Sequence, residues 1–436
     1  MNNLEYIQER FNQLPSVNDG NGLGVIRQKA FEAFNKMGIP TTRHEEWKYT
    51  RIGSFFNKEY QYAGSQLAGT LTATDLAPLR LPAYEQANEL FYINGRYSSE
   101  LSVVRSKGLT VQPLPEAAKN EYKEIVSKYL GNSSNYLKDG INALSTAFVQ
   151  DGVFVHIKKG QIIEHPIYIY NITDARQANV LAQPRTLVYV GENAQVKFVE
   201  TFNTLGTQES FTNRVIEIVV EKDAITEYYK IQTDASHASQ VATTHIQQVG
   251  KSYTHTVTVS LNAGLVRNNL NIVLDEERCE AHLYGIYLQQ GQSHIDNHTV
   301  VDHAKPNCES NELYKGMLDD QSTGVFNGKI FVRQDAQKTN AYQSNKNVLL
   351  SAGASVNTKP QLEIFADDVK CSHGCTIGQL DEESLFYLRS RGVPENIARS
   401  LLLHGFVLDI LEQIKLAPIR DYVDKLISER LEFNIA

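Results

Sequence analysis

Four cysteines in 436 residues, unevenly placed, are too few for the disulfide framework of a small secreted protein. No stretch approaches the roughly 20 consecutive apolar residues that would span a bilayer. A basic excess is missing as well: the formal charge is -8, which argues against nucleic acid as the main partner. The opening "MNNLEYIQERFNQLPSVNDG" has no apolar core of a secretion signal, so a cytoplasmic location is the expectation. Catalytic signatures are scarce too. Gly250-Lys251-Ser252 resembles the end of a phosphate-binding loop, but that loop needs a glycine where His245 stands, and a strand pattern follows it. The chain is therefore not expected to bind or hydrolyse nucleotide itself. Neither G-x-S-x-G nor H-E-x-x-H occurs.

What is there is an ordinary soluble composition, 42% apolar and 21% charged, arranged in three stretches. Residues 1–140 read as a helical and mixed region. "GLGVIRQKAFEAFNKMGIP" places Ile26, Ala30, Phe34 and Met37 on one helix face and stops at Gly38 and Pro40. "TTRHEEWKYTRI" carries the sole tryptophan, Trp47, read as a packing anchor. Asn94-Gly95 between apolar runs signals a two-residue hairpin, and "PEAAKNEYKEIVSKYL" a further helix.

Residues 141–366 change pattern. "GVFVHI", "RVIEIVV" and "HTVTVSL" alternate apolar residues, and strand follows strand with short turns between. The turns "GENA" and "EKDA" begin thirty residues apart, with similar segments behind them, "QVKFVETF" and "ITEYYKIQ". That self-similarity suggests stacked coils, a β-helix or solenoid, with a large two-sheet sandwich as the alternative. Residues 367–436 turn helical and read as four short helices. Leu403, Phe406, Val407 and Ile410 belong to an apolar surplus that divides between the β core and a docking face for another protein.

The densest chemistry is in "ADDVKCSHGCTIGQLDEE". On an extended strand Cys371, His373 and Cys375 project from one face, about 6 to 7 Å apart in sequence. Thiolates and an imidazole suit zinc, copper(I) or iron–sulfur chemistry, and three ligands leave one position open. Gly374 threatens the strand, and the alternative is two inert cysteines beside a hydrogen-bonded histidine. A second group, His294, His298, His303 and Cys308, reads as ordinary histidines before a metal site, with His303 and Cys308 in a loop containing Pro306.

"PTTRHEEWKYT", the long β middle, "DDVKCSHGCTIGQLDEESLFYLRSRG" and the helical end together resemble the SufD family, nearly full length and in order. That family joins SufB and the ATPase SufC in bacterial iron–sulfur cluster assembly. The resemblance implies a right-handed parallel β-helix between helical ends, and a non-catalytic scaffold. It implies that the last strands pair with SufB, and that the C-terminal helices dock SufC, with Leu403, Phe406, Val407 and Ile410 as the docking candidates. It places Cys371 and His373 near the junction with SufB, where a transient iron–sulfur cluster is built, with a flavin suggested for the assembled complex. The usual family pattern has alanine at position 375, so no role carries over to Cys375. It could add a ligand, pair with Cys371 on oxidation, or do nothing.

Two rivals stay open. One is a β-helix carbohydrate-active enzyme using acids from "LDEER" and "MLDDQ". The other is a stand-alone zinc protein using Cys371, His373 and Cys375. The chain alone could also form a homodimer through an unpaired end coil.

Overall fold

The computed structural model describes residues 3–14, 23–62, 71–149 and 151–433. Its body is a solenoid of about eight coils. From Arg185–Val190 to Lys370–Gly378, successive strands alternate between an eleven-stranded and a ten-stranded sheet. Each strand in this stretch pairs in parallel with the strands one coil away. A sandwich of hairpins would pair antiparallel. The stacked-coil reading is the one the chain adopts.

The thirty-residue spacing seen in sequence is the coil itself, since Gln195 lies beside Ile225 and Asn340 beside Lys370. Asn193 and Asp223, the turn residues of "GENA" and "EKDA", hold positive φ of 57° and 56°. They stack corner on corner: Asn193 N–H donates to Lys222 O at 2.9 Å and Asp223 N–H to Lys251 O at 2.6 Å. Arg278 and Lys338 hold the same conformation on other coils although neither is a usual turn residue. That is why the repeat is degenerate in sequence.

Several local expectations hold, and some shift. Asn94 and Gly95, at φ 51° and 82°, make the hairpin turn between Asn88–Ile93 and Arg96–Val103. The helix Gly24–Met37 ends at Gly38, whose N–H donates to Phe34 O. Its buried face is centred on Arg27, Phe31 and Phe34, one step round from the expected stripe, with Ile26, Ala30 and Met37 at its margins. "PEAAKNEYKEIVSKYL" is two short helices, Leu114–Ala117 and Lys123–Tyr129. Between them Asn120 Oδ1 accepts the Tyr122 N–H, a local bond that competes with helix continuation.

The N-terminal region covers the outer face of the eleven-stranded sheet. Trp47 is buried, and the Arg267 guanidinium lies 3.9 Å from its ring centre. Arg267 is itself tied to Asp296 and to Glu46 O, each at 2.7 Å. The anchor role read from sequence is therefore literal.

Among the described residues the C-terminal end has three helices, not four: Glu382–Ser390, Glu395–Leu411 and Ala417–Phe433. Gly405 does not stop the second, which runs on through it. That helix lays Leu403, Val407 and Ile410 into a cluster with Tyr229, Val257 and Ile286 on the ten-stranded sheet. Phe406 is half-buried with the Lys315 ammonium 4.9 Å from its ring centre, and Lys315 also binds Phe406 O and Asp409. These four side chains serve intramolecular packing, which corrects their assignment as docking residues. The apolar side chains left exposed on these helices are Phe386, Tyr387, Ile397, Leu401 and Leu408.

Replacing Trp47 with alanine is expected to cost about 3–5 kcal/mol of folding stability. Denaturant unfolding checks this, and a loss below about 1 kcal/mol would contradict the anchor role.

Candidate functional site: the open end of the solenoid

The last strand, Lys370–Gly378, pairs on one side only, with Asn340–Leu349, and Gly374 lies within it unbroken. Its register sets Cys371 beside Ala341, His373 beside Gln343 and Cys375 beside Asn345. Those three partners are buried inside the coil. Because parallel neighbours share a face, Cys371, His373 and Cys375 continue the interior rows onto the final rung. Among the described residues no further coil lies above them. His373 and Cys375 are exposed, and Cys371 is half-buried against the cluster of Ile330, Val332 and Ala341.

The backbone at this rim is open as well. Lys370 N–H donates to Thr339 O at 2.8 Å, so by alternation the N–H and C=O groups of Cys371, His373 and Cys375 point to the free edge. The opposite sheet ends in Ser355–Ile364, whose flanking donors Ser355 and Phe365 both bond inward, to Ser322 O and Val332 O. The alternate residues face outward there, and one of them is Pro360, which has no N–H. One edge is interrupted. The other is continuous.

Geometry narrows the chemistry. Cys371 and Cys375 are four residues apart on one strand, about 13 Å between Cα atoms. A disulfide needs them within about 7 Å, so oxidation cannot pair them on this strand. The same distance keeps both sulfurs from one metal ion, which overturns the three-ligand arrangement. His373 can share an ion with either cysteine, not with both. Among the described residues no group of three or more His, Cys, Asp or Glu side chains is placed to hold a metal. Burial pushes the Cys371 thiol up, partly opposed by the Ala341 backbone, so the chain by itself favours the protonated form. A thiolate there needs a metal or a positive charge supplied from outside.

The second histidine group is dispersed. His294, His298 and His303 share the strand His294–His303, so His303 is not in a loop as expected. His294 and His298 face outward: His294 Nε2 is 2.9 Å from Thr50 Oγ1, and His298 bridges Asp296 at 2.9 Å and Glu46 at 3.4 Å. The His298 bond is the largest influence holding the Glu46 carboxyl down to about 2. His303 faces inward to Ser310, and burial lowers it to about 4. Cys308 is buried at a corner, within hydrogen-bonding range of Cys279 one coil below. A cleft of about 1130 Å³ opens on this outer face, beside Trp47, Tyr136, His245 and His298. Its strongest charges are already matched, Arg267 by Asp296, Arg333 by Asp302 and Lys329 by Glu363.

One element beneath the rim escaped sequence reasoning. Glu312 is 1% exposed, inside the coil, in register with Gln343, whose Nε2 donates to Glu312 Oε2 at 2.8 Å. Burial pushes the Glu312 carboxyl up to about 7, with the Thr299 hydroxyl and Gln343 amide pulling the other way. Aligning the chain coil on coil would have exposed it, because Glu312, Gln343 and His373 occupy one column.

Comparison with known proteins agrees with this architecture. Residues 171–406 match the family described as SUF system FeS cluster assembly, SufBD core domain, and residues 7–169 the SufBD protein N-terminal region. The chain belongs to the SufBD family. It is 33% identical to an iron–sulfur cluster assembly SufBD family protein of Synechocystis sp. over 93% of this chain and 90% of that one. It is 28% identical to the iron–sulfur cluster assembly protein SufD of Escherichia coli, covering 93% and 92%. With SufD of Bacillus subtilis the identity is 22%, over 93% of each. This SufBD chain is of the SufD type.

In the native protein a thiol reagent is expected to modify Cys375 rapidly and Cys371 more slowly, while Cys279 and Cys308 react only on unfolding. A stopped-flow thiol titration with and without denaturant reads the order. For Glu312, the folded state holds a proton that the unfolded chain has released. Stability should therefore fall as pH rises from 4.5 to about 7. The fall attributable to this group is on the order of 3 kcal/mol. Glu312→Gln should remove it, and identical pH slopes for variant and wild type would contradict the assignment.

Proposed function

We propose that this SufD-type chain is a scaffold subunit whose open coil end pairs with SufB and lends His373 and Cys371 to a nascent iron–sulfur cluster, which is cargo. The observation that carries this reading is the coincidence of donor atoms and unpaired backbone on one rung. His373 and Cys371 share a face on the last rung of the ten-stranded sheet, above which no coil lies among the described residues. Two ligands on one strand leave an iron centre incomplete, so the remainder comes from across the junction. His373 coordinates as neutral imidazole, and Cys371 becomes thiolate as metal displaces its proton. The continuous edge at Lys370–Gly378 suits addition of a partner strand, whereas Pro360 weakens it on the opposite edge. In the absence of SufB, a second copy of this chain could take the same edge. The exposed residues Phe386, Tyr387, Ile397, Leu401 and Leu408 are offered as the docking face for the SufC ATPase.

The carbohydrate-enzyme reading is less well supported. The acids of "LDEER" lie on a turn leaving the eleven-stranded sheet, those of "MLDDQ" on a turn entering it. They sit at opposite corners of the coil and do not form a paired set.

Anaerobic co-expression with SufB and SufC tests the assignment through bound iron and sulfide in the purified complex. His373→Ala should leave the complex assembled and lower cluster formation by more than about tenfold, the range reached by loss of even an outer-shell partner. Cys371→Ser should act in the same direction and Cys375→Ala should not. An intact His373→Ala complex that builds clusters at the wild-type rate would refute the role of His373.

A further inference from the structure

The interior rows of the solenoid are not uniformly apolar as they approach the open end. In the column ending at His373 the residues are Leu283, Glu312 and Gln343, each in register with the next. Glu312 and Gln343 are 1% and 2% exposed. A buried carboxyl directly under a buried amide is costly unless both are satisfied. Only one bond joins them, Gln343 Nε2 to Glu312 Oε2. Gln343 Oε1 has no hydrogen-bond partner, and the Thr299 hydroxyl faces the Glu312 carboxyl from across the coil. The coil opposite keeps space for the amide: a Cβ on Gly328 would stand 2.4 Å from Gln343 Nε2.

The chemistry of these groups gives the column a direction. An ionised carboxylate only accepts, so it draws the amide nitrogen of Gln343 inward and leaves Oε1 as a free acceptor. Adjacent rungs are about 4.8 Å apart, so the side chain next in the column can reach that oxygen. That side chain is His373. A metal-binding histidine almost always donates its second ring N–H to an oxygen acceptor, which fixes the tautomer and raises ligand basicity.

We propose that Gln343 and Glu312 are positioning residues for His373: Gln343 Oε1 accepts the imidazole N–H, and Glu312 determines which end of the Gln343 amide faces the rim. The inference rests on the reading of His373 as a cluster ligand for its function, but not for its geometry. The groups around Glu312 are Leu283 and Gln343 in its column, Thr299 across the coil and Tyr314 on its own strand. Burial places the Glu312 carboxyl near 7, so above that pH it is the accepting form that orients the amide. Once protonated, it can instead donate to Gln343 Oε1 and release the orientation.

Nitrogen-15 NMR of the histidine-labelled full chain, held above pH 8, reads the tautomer of His373 directly. Wild type should show one ring tautomer in clear excess. Gln343→Leu should give a mixture, Gly328→Ala should do the same by displacing the amide, and Gln343→Glu should restore the excess because it keeps an acceptor oxygen in reach. Gln343→Leu in the assembled complex should lower cluster formation about tenfold. An identical tautomer ratio in wild type, Gln343→Leu and Gly328→Ala overturns the proposal. If Gln343→Leu does not fold, the Gly328→Ala comparison decides. Should the ratio shift as expected while a His373→Ala complex still builds clusters normally, the positioning stands and the cluster-ligand reading falls.

Discussion

Each strand of the solenoid hydrogen-bonds to the strand one coil before it and the strand one coil after, and this parallel ladder dictates what every side chain faces. Parity is inherited from rung to rung: a residue beside a buried neighbour is directed inward too. The same rule that buries Ala341, Gln343 and Asn345 aims Cys371, His373 and Cys375 at the interior of a coil that no described residue closes. The donor set is exposed because the ladder ends there, not because the residues lie on a surface face.

A ladder of this kind also needs its outer faces covered. The ten-stranded sheet carries Tyr229, Val257 and Ile286 outward, and the helix Glu395–Leu411 supplies Leu403, Val407 and Ile410 against them. The eleven-stranded sheet is more polar outside, and the N-terminal region meets it with Glu45 on Lys359, Glu46 on His298, and Trp47 laid on Arg267. With both faces occupied, the free hydrogen-bonding groups of the sheets are concentrated at their edges. The free strand edge of the end coil and the apolar side chains exposed on the C-terminal helices are therefore separate surfaces.

Polar groups inside the coils are held in networks. Arg214 bonds Glu200, Tyr228 and the Thr243 carbonyl, and Asn268 links Gln232 to Asn297 across coils. Such networks favour one register over a slipped one, since a one-residue slip would leave each of these groups unsatisfied. Satisfaction is incomplete along the whole solenoid, at Asn171 Oδ1, Gln248 Oε1 and Asn297 Nδ2 among others, and one rung below the rim it leaves Gln343 Oε1 without a partner above the buried Glu312. That is the setting in which the pH response of Glu312 arises.

Much of this was legible in the residues. Alternation identified the strands, the two turns at thirty-residue spacing gave the coil length, and strand parity put Cys371, His373 and Cys375 on one face. The resemblance of "KCSHG" and its surroundings named the family. Helix ends were less legible, because Gly405 has the look of a stop while its helix runs through it, packed on the sheet. So were the docking residues: Leu403, Val407 and Ile410 are equally apolar whether they face a partner or the chain's own core.

What the order of amino acids determined by itself was the local repertoire: extended segments, turns, and three donor side chains sharing one face. Which residues become neighbours between coils was decided only in three dimensions. Coil length drifts, from 26 residues between the paired Ser239 and Leu265 to 33 between Val153 and Thr186, because corner turns tolerate insertion. A column such as Glu312, Gln343 and His373 is therefore defined by hydrogen-bond register, a property of strands far apart in the chain, and no fixed sequence interval encodes it.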